Sequence, residues 1–233
     1  MKDLIQKYRR IAILQPVLKT IDNASYKTMM LFINKLFCNG FFPTYAYTDH
    51  GYIPESRNVL ARQIIDHPDN YDVVLWIDSD QTFTFESFIN LLKTFDINNL
   101  NLLTGSYLKR HPTDRFICSY LINDTLDAYN PLLEQSNGLL KIDGCGFGFF
   151  LMHKKVLLDL FKKYDYNIFE MPFIGKKGEI KYKGEDFIFC EKAKEIGYDI
   201  YLDCNCKIGH SGYVHTPNDQ DDRPIVNFKR VEQ

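Results

Sequence analysis

No apolar run in this chain of 233 residues approaches the ~20 consecutive residues that a membrane helix requires. The opening Met1-Lys2-Asp3-Leu4-Ile5-Gln6-Lys7-Tyr8-Arg9-Arg10 is charged and has none of the apolar core of a secretion signal. A cytoplasmic location is therefore expected, and with it reduced thiols at the six cysteines. Cys204 and Cys206 have the look of half a metal site, but no matching Cys-x-x-Cys or His pair completes it, so both are read as buried strand thiols. An excess of basic charge is also missing. Lys plus Arg is 28 against 30 for Asp plus Glu, a balance of −2, so the chain is not built around a large phosphate-backbone footprint. The glycine-rich run Gly144-Cys-Gly-Phe-Gly148 lacks the Lys-Ser/Thr pair of a Walker loop. Internal repeats and low-complexity tracts are absent too. What remains is an ordinary globular composition, 45% hydrophobic and 25% charged. That excludes wholesale disorder and suffices for one large domain, or two small ones sharing a core.

The apolar patterning reads as α/β. Ile11-Ala-Ile-Leu14 is a short buried strand closed by Gln15-Pro16. Asp22, Asn23 and Ser25 offer caps to a helix whose apolar residues recur at helical spacing up to Asn39-Gly40. Residues 41–48 read as a second strand and residues 55–66 as a second helix. Tyr71-Asp-Val-Val-Leu-Trp-Ile77 is apolar almost throughout, as a central strand buried on both faces should be. Thr84 caps a helix over residues 85–95, and residues 102–105 form a fourth strand. This alternation predicts a doubly wound, Rossmann-like half. Beyond it, residues 115–122, 139–142 and 198–202 read as strands. Residues 153–163 form a helix, and a last long helix opens at Gly184-Glu185-Asp186 and stops at Gly197. From His215 the chain is polar and reads as a surface wrap or a poorly ordered tail.

Five groups of residues could carry chemistry. Asp78-Ser79-Asp80 follows the strongest strand, at the sheet edge where open α/β folds bind ligands. Two carboxylates one residue apart can present oxygens to Mg²⁺ or Mn²⁺, a cation readily shared with a substrate phosphate. The blander reading is a polar turn capping the next helix. His210, just past the last strand, could add a nitrogen ligand; alone it would read as a hydrogen-bonded surface His. Arg57 and Asn58, with Arg62 further along the same helix, could hold an anionic or nucleotide ligand, or form a solvated face. Glu185 and Asp186 could supply a general base, or merely suit the positive end of their helix. Gly144 and Gly146 could let a sugar approach the backbone, or form a tight connection.

In this order the groups resemble the GT-A class of metal-dependent glycosyltransferases. The resemblance rests on Ile11-Ala-Ile-Leu-Gln-Pro16, Glu55-Ser-Arg-Asn-Val-Leu-Ala-Arg62, Trp76-Ile-Asp-Ser-Asp80, Gly144-Cys-Gly-Phe-Gly-Phe-Phe-Leu151, Gly184-Glu-Asp-Phe187 and Ile208-Gly-His210. It implies one GT-A-like domain over residues 1–212, with a mostly parallel central sheet flanked by helices. Residues 10–106 would be the nucleotide-binding half, 107–212 a smaller mixed-strand acceptor and catalytic half, and 213–233 a C-terminal tail. Carried over by position, Gln15 and Pro16 would lie against the base or ribose. Arg57, Asn58, Arg62, Ser79, Gly144 and Gly146 would lie along the nucleotide-sugar. Asp78 would meet ribose or metal, and Asp80 with His210 the metal. Asp186 would be the base of an inverting reaction, with Glu185 beside the donor sugar or the acceptor. Glu191 stands where many inverting relatives have an Arg, which leaves the stereochemistry open. The cofactor implied is Mn²⁺ or Mg²⁺ and the donor a UDP- or GDP-sugar. The acceptor implied is a glycan, with a nucleic-acid acceptor also open. The compact size resembles glycosyltransferase modules of large DNA viruses and phages. Richness in Asn, Lys, Ile, Tyr and Phe fits an AT-rich genome of that kind, and the location would then be the host cytoplasm.

Three rival readings remain at this point. Asp78-Ser-Asp-Gln-Thr82 also fits a haloacid-dehalogenase-type phosphatase with Asp78 as nucleophile, although that motif usually lies on the first strand of its domain. A sugar nucleotidyltransferase would want a glycine-rich loop after the first strand, which Gln15-Pro16-Val-Leu18 does not offer. A non-catalytic nucleotide- or carbohydrate-binding module would bind the donor without turning it over.

Overall fold

The computed structural model describes residues 1–18, 20–48, 51–67, 69–109, 116–123, 128–175, 180–213 and 224–226. The first part of the chain runs α1 (Lys2–Lys7), β1 (Arg10–Pro16), α2 (Asn23–Cys38), β2 (Phe42–Thr48), α3 (Ile53–Asp66), β3 (Val73–Ile77), β4 (Gln81–Thr82), α4 (Phe85–Ile97) and β5 (Leu102–Ser106). There follow β6 (Phe116–Asn123), β7 (Ala128–Leu133), β8 (Leu139–Ile142), β9 (Gly144–Cys145), β10 (Phe149–His153), α5 (Lys154–Tyr164), α6 (Glu185–Glu195), β11 (Ile200–Lys207), β12 (Gly209–Tyr213) and β13 (Pro224–Val226).

The main sheet has the order β2-β1-β3-β10-β5-β11-β8. β1 is parallel to both β2 and β3, and β5 is parallel to β11; β10 and β8 run against their neighbours. The sheet is mostly parallel, as the residue patterning leads one to expect. One feature departs from that expectation. The strand at residues 102–106 does not continue the doubly wound series beside β3, because β10 is inserted antiparallel between them. Both edges of β10 are thus paired by strands from the first part of the chain, so residues 10–106 and 107–212 share one sheet.

Both faces of the sheet are covered, and the strand residues alternate between them. Ala12, Leu14, Val74, Trp76, Phe150 and Met152 join Leu60, Ile64, Leu157 and Phe189 from α3, α5 and α6. Ile11, Ile13, Val73, Leu75, Ile77, Phe149 and Leu151 join Phe32, Leu36, Phe88 and Phe95 from α2 and α4. Every residue of β3 is buried for this reason, which is why its sequence shows no polar alternation. The helix boundaries follow the capping chemistry. Asp22 accepts the N–H groups of Ala24 and Ser25 at 2.9 and 3.2 Å, and Thr84 accepts that of Ser87 at 3.0 Å. Gly40 and Gly197 stop α2 and α6 at φ of +88° and +91°.

Three further readings are revised. The last strand of the main sheet continues to Lys207, well past Leu202, and His210 lies within β12 rather than in a loop. Pro224–Val226, read as tail, pairs with β12; residues 214–223 and 227–233 lie outside the described residues, as does Arg115. Cys204 and Cys206 are buried free thiols on β11. No helix among the described residues is long and apolar enough to cross a membrane.

Candidate functional site

The end of β3 delivers Asp78-Ser79-Asp80 to the rim of the sheet, and backbone hydrogen bonds from three directions hold this turn. Asp78 N–H donates to the Gly148 carbonyl at 3.2 Å, Asp22 N–H donates to Ser79 at 3.0 Å, and Ser211 N–H donates to Asp80 at 2.9 Å. β1 arrives alongside. Its buried Gln15 donates from Nε2 to the Asp78 carbonyl at 3.4 Å and accepts the Tyr45 hydroxyl at 2.6 Å. Pro16 closes β1 opposite Thr48.

Arg57 is the hub of the cluster. It is 3% exposed, donates from Nη2 to Asp78 Oδ1 at 2.9 Å and from Nε to Glu185 Oε1 at 3.2 Å. Its guanidinium lies 5.0, 5.7 and 6.0 Å from the ring centres of Phe147, Trp76 and Phe169. Burial works against this charge, but Asp78, Glu185 and Asp186 outweigh it and hold the guanidinium above its usual pKa. The Arg57 of the sequence reading, a nucleotide contact, is in the structure an interior cation binding the turn after β3 to the start of α6.

Asp186 sits in the first turn of α6, where its Oδ1 accepts the Phe187 N–H at 2.8 Å. Gly184 leaves room for it, since a Cβ there would come within 2.6 Å of Oδ1. Burial raises the Asp186 pKa to about 7, helped by the negative charge of Glu185 and opposed by Arg57. One guanidinium faces three carboxylates, so the last of them keeps its proton near neutrality. A carboxyl in that state is poised for general base chemistry at the pH of a cell.

Asp80 and His210 form the other half of the site. β12 pairs with β4 so that His210 lies opposite Gln81, which brings His210 Nε2 to 3.6 Å from Asp80 Oδ2. His210 Nδ1 is 2.7 Å from the Leu108 carbonyl. A carbonyl can only accept, so Nδ1 carries the hydrogen, and it is the neutral form of the ring that turns an Nε2 lone pair toward Asp80. In that neutral form two acceptors face one another, which favours a cation between them. A donor set of one carboxylate oxygen and one imidazole nitrogen is of a kind that Mn²⁺ or Mg²⁺ accepts. Asp78, the third ligand of the sequence reading, is ion-paired with Arg57 through Oδ1. Among the described residues no three His, Cys, Asp or Glu side chains are gathered closely enough to hold a metal by themselves.

Tyr107 ties the two halves together, and sequence reasoning missed it. It is buried, its hydroxyl accepts the Gly148 N–H at 2.9 Å, and its ring meets the His210 ring edge-on at 5.5 Å. Its side chain explains the glycines. A methyl at Gly146 would overlap the Tyr107 hydroxyl, and one at Gly148 would come within 2.6 Å of Tyr107 Cζ. The space expected for a sugar at Gly146 is therefore filled by tyrosine, and that at Gly144 by Phe187, 3.2 Å from where a Cβ would stand. Two other positions also differ from the nucleotide-contact reading. Asn58 is turned to the backbone of residues 168–169. It accepts the N–H groups of Ile168 and Phe169 at 3.1 and 3.0 Å and donates to the Phe169 carbonyl at 2.8 Å. Arg62 is exposed, paired with Asp66 at 3.4 Å and placed over the Tyr166 ring, so its contacts lie outside the cluster. No local signal marks the Tyr107 side chain, because Gly148 and His210, its hydrogen-bond and ring partners, are 41 and 103 positions away.

No family model matches the chain, and no curated protein matches it. Among solved structures, A197 from STIV aligns with a TM-score of 0.55 at 16% identity, covering 96% of this chain and 97% of that one. The structure of GalNAc-T7 with UDP, GalNAc and Mn²⁺ aligns with a TM-score of 0.54 at 10% identity, covering 86% of this chain. This chain spans 43% of that one. At such identities the likeness speaks for architecture: the chain has a GT-A-like fold.

Proposed function

We propose that the protein is a glycosyltransferase that moves a sugar from a nucleotide-diphosphate sugar to an acceptor hydroxyl. The observation that carries this reading is the approach of a carboxylate oxygen and an imidazole nitrogen, Asp80 Oδ2 and His210 Nε2, at the rim of a GT-A-like sheet. The GalNAc-T7 structure, which contains UDP, GalNAc and Mn²⁺, supports a nucleotide-sugar donor and a divalent cation. Asp80 and His210 would hold the cation, which when bound neutralises charge growing on the departing diphosphate.

The remaining roles belong to the chain. Gln15 and the end of β1 border the nucleoside side of the turn. Arg57 keeps Asp78 and Glu185 in place from below, and Tyr107 holds the Gly148 backbone on which Asp78 N–H rests. Asp186, ionised above about pH 7, accepts the proton of the acceptor hydroxyl. The hydroxyl oxygen forms the new bond to the anomeric carbon, and the old carbon–oxygen bond breaks with its electron pair going to the nucleoside diphosphate. Attack from the face opposite the leaving group inverts the configuration.

The phosphatase alternative fares less well, because the carboxylate that would be its nucleophile is engaged by Arg57. The test is nucleotide release from a panel of UDP- and GDP-sugars with and without Mn²⁺. Metal-dependent release that Asp80→Ala abolishes is the expected result. Release that is equal in that variant would refute the site, and a phosphoaspartate trapped on Asp78 would restore the phosphatase.

A further inference from the structure

A cleft of about 510 Å³ opens between the first turns of α3 and the segment of residues 167–172 that leads toward α6. Its volume lies within the range of small-ligand sites. Its two walls are joined by Asn58, whose side chain makes the hydrogen bonds to Ile168 and Phe169 described above. The cleft is therefore preformed rather than a gap between loosely associated segments.

Its chemistry is selective. The ring of Tyr52, 51% exposed, and the side chains of Val59 and Met171 supply apolar faces. Glu55, Glu170 and Asn167 supply polar groups, and neither Lys nor Arg is among the lining residues. Lys192, just behind, is already bound to Glu170 and to the Asn167 carbonyl. A diphosphate or a nucleic-acid backbone would meet the Glu55 carboxylate here, and the neighbouring cation, Lys192, is engaged by Glu170. A wholly apolar ligand would strip water from those carboxylates without replacing its hydrogen bonds. A neutral sugar satisfies both demands. Its hydroxyls donate to carboxylate and amide oxygens, and its C–H face lies on Tyr52, Val59 and Met171.

The cleft also adjoins the cluster. Phe169, in its wall, has its ring 6.0 Å from the Arg57 guanidinium and stacks at 5.0 Å on Phe189 of α6. We infer that this cleft binds a neutral saccharide, the acceptor side of the transfer, an inference that rests on the glycosyltransferase reading for the word acceptor but not for the ligand class.

The experiment uses the full chain, with methyl α-glucoside, methyl α-mannoside and methyl β-galactoside as probes in saturation-transfer NMR. The same proteins are assayed for nucleotide release from the donor panel in water alone and with each glycoside. Two variants are compared with the parent: Met171→Trp, which fills the cleft, and Tyr52→Ala, which removes an exposed ring. Neither residue belongs to the catalytic cluster, and unchanged melting temperatures establish that both variants fold. The expected result is that at least one glycoside binds the parent protein and that both variants weaken it more than tenfold. Nucleotide release in water should stay within twofold. Equal glycoside binding in the parent protein and Met171→Trp overturns the inference. So does the absence of glycoside binding where donor hydrolysis is intact, or displacement of the glycoside by a DNA oligonucleotide. Glycoside binding in the cleft with no donor ever hydrolysed would leave the saccharide site standing and remove the glycosyltransferase reading instead.

Discussion

Asp186 carries the clearest consequence of local electrostatics. Its ionised form is disfavoured by burial and by Glu185, with Arg57 compensating in part. As the proposed base it must be deprotonated, so kcat/KM should rise with pH and level off above about 7. Asp186→Asn should lower turnover by roughly 10²–10⁴-fold and abolish that limb. Stability gives an independent readout. The folded-state pKa is raised, so below the ordinary carboxylate range folded and unfolded chains are both protonated and Asp186 has no effect. As pH climbs from that range to about 7 only the unfolded chain ionises, so the penalty on the folded state grows over this window and levels off above about 7, where both forms are ionised. Thermal melts should therefore show Asp186→Asn more stable than the parent protein at pH 8 and equal to it near pH 3.

At the level of elements, the α3 hydrogen bonds to residues 168–169 make a separate forecast. Asn58→Ala leaves two backbone N–H groups and one carbonyl without their partner, at about 1–3 kcal/mol for each group that stays buried. Urea titration should show the loss, and hydrogen exchange should locate it in the segment before α6. Elements like these also show what could be read in advance. β3, the Asp78–Asp80 turn, the caps of α2 and α4 and the opening of α6 announce themselves in a few adjacent residues. An all-apolar strand, a capping Asp or Thr and a helix-terminal acid are local signals. The insertion of β10 between β3 and β5, the packing of Tyr107 against Gly146 and Gly148, and the turn of Asn58 toward Phe169 are pairings over long separations. Nothing in the neighbouring residues encodes them. The spacing of Arg57 on α3 carries no information that Trp76, Phe147 and Phe169 enclose it.

For the whole molecule, ligand linkage is the useful measure. A ligand present at about a hundred times its dissociation constant stabilises the folded state by ~2.7 kcal/mol. For a chain of this size that raises the melting temperature by roughly 2–4 °C per kcal/mol. UDP with Mn²⁺ should thus raise it by several degrees, chelation should reverse the metal-dependent part, and Asp80→Ala should lack that part from the start. The wedge of β10 between β3 and β5 has a consequence for how the protein is made. Before residues 149–153 leave the ribosome, β3 and β5 each present a bare hydrogen-bonding edge flanked by apolar surface. A fragment ending at residue 106 should be insoluble or exchange its amides without protection. In the intact chain, closure of the sheet waits on a late, sequence-distant strand, which makes slow folding and chaperone dependence during synthesis the natural outcome.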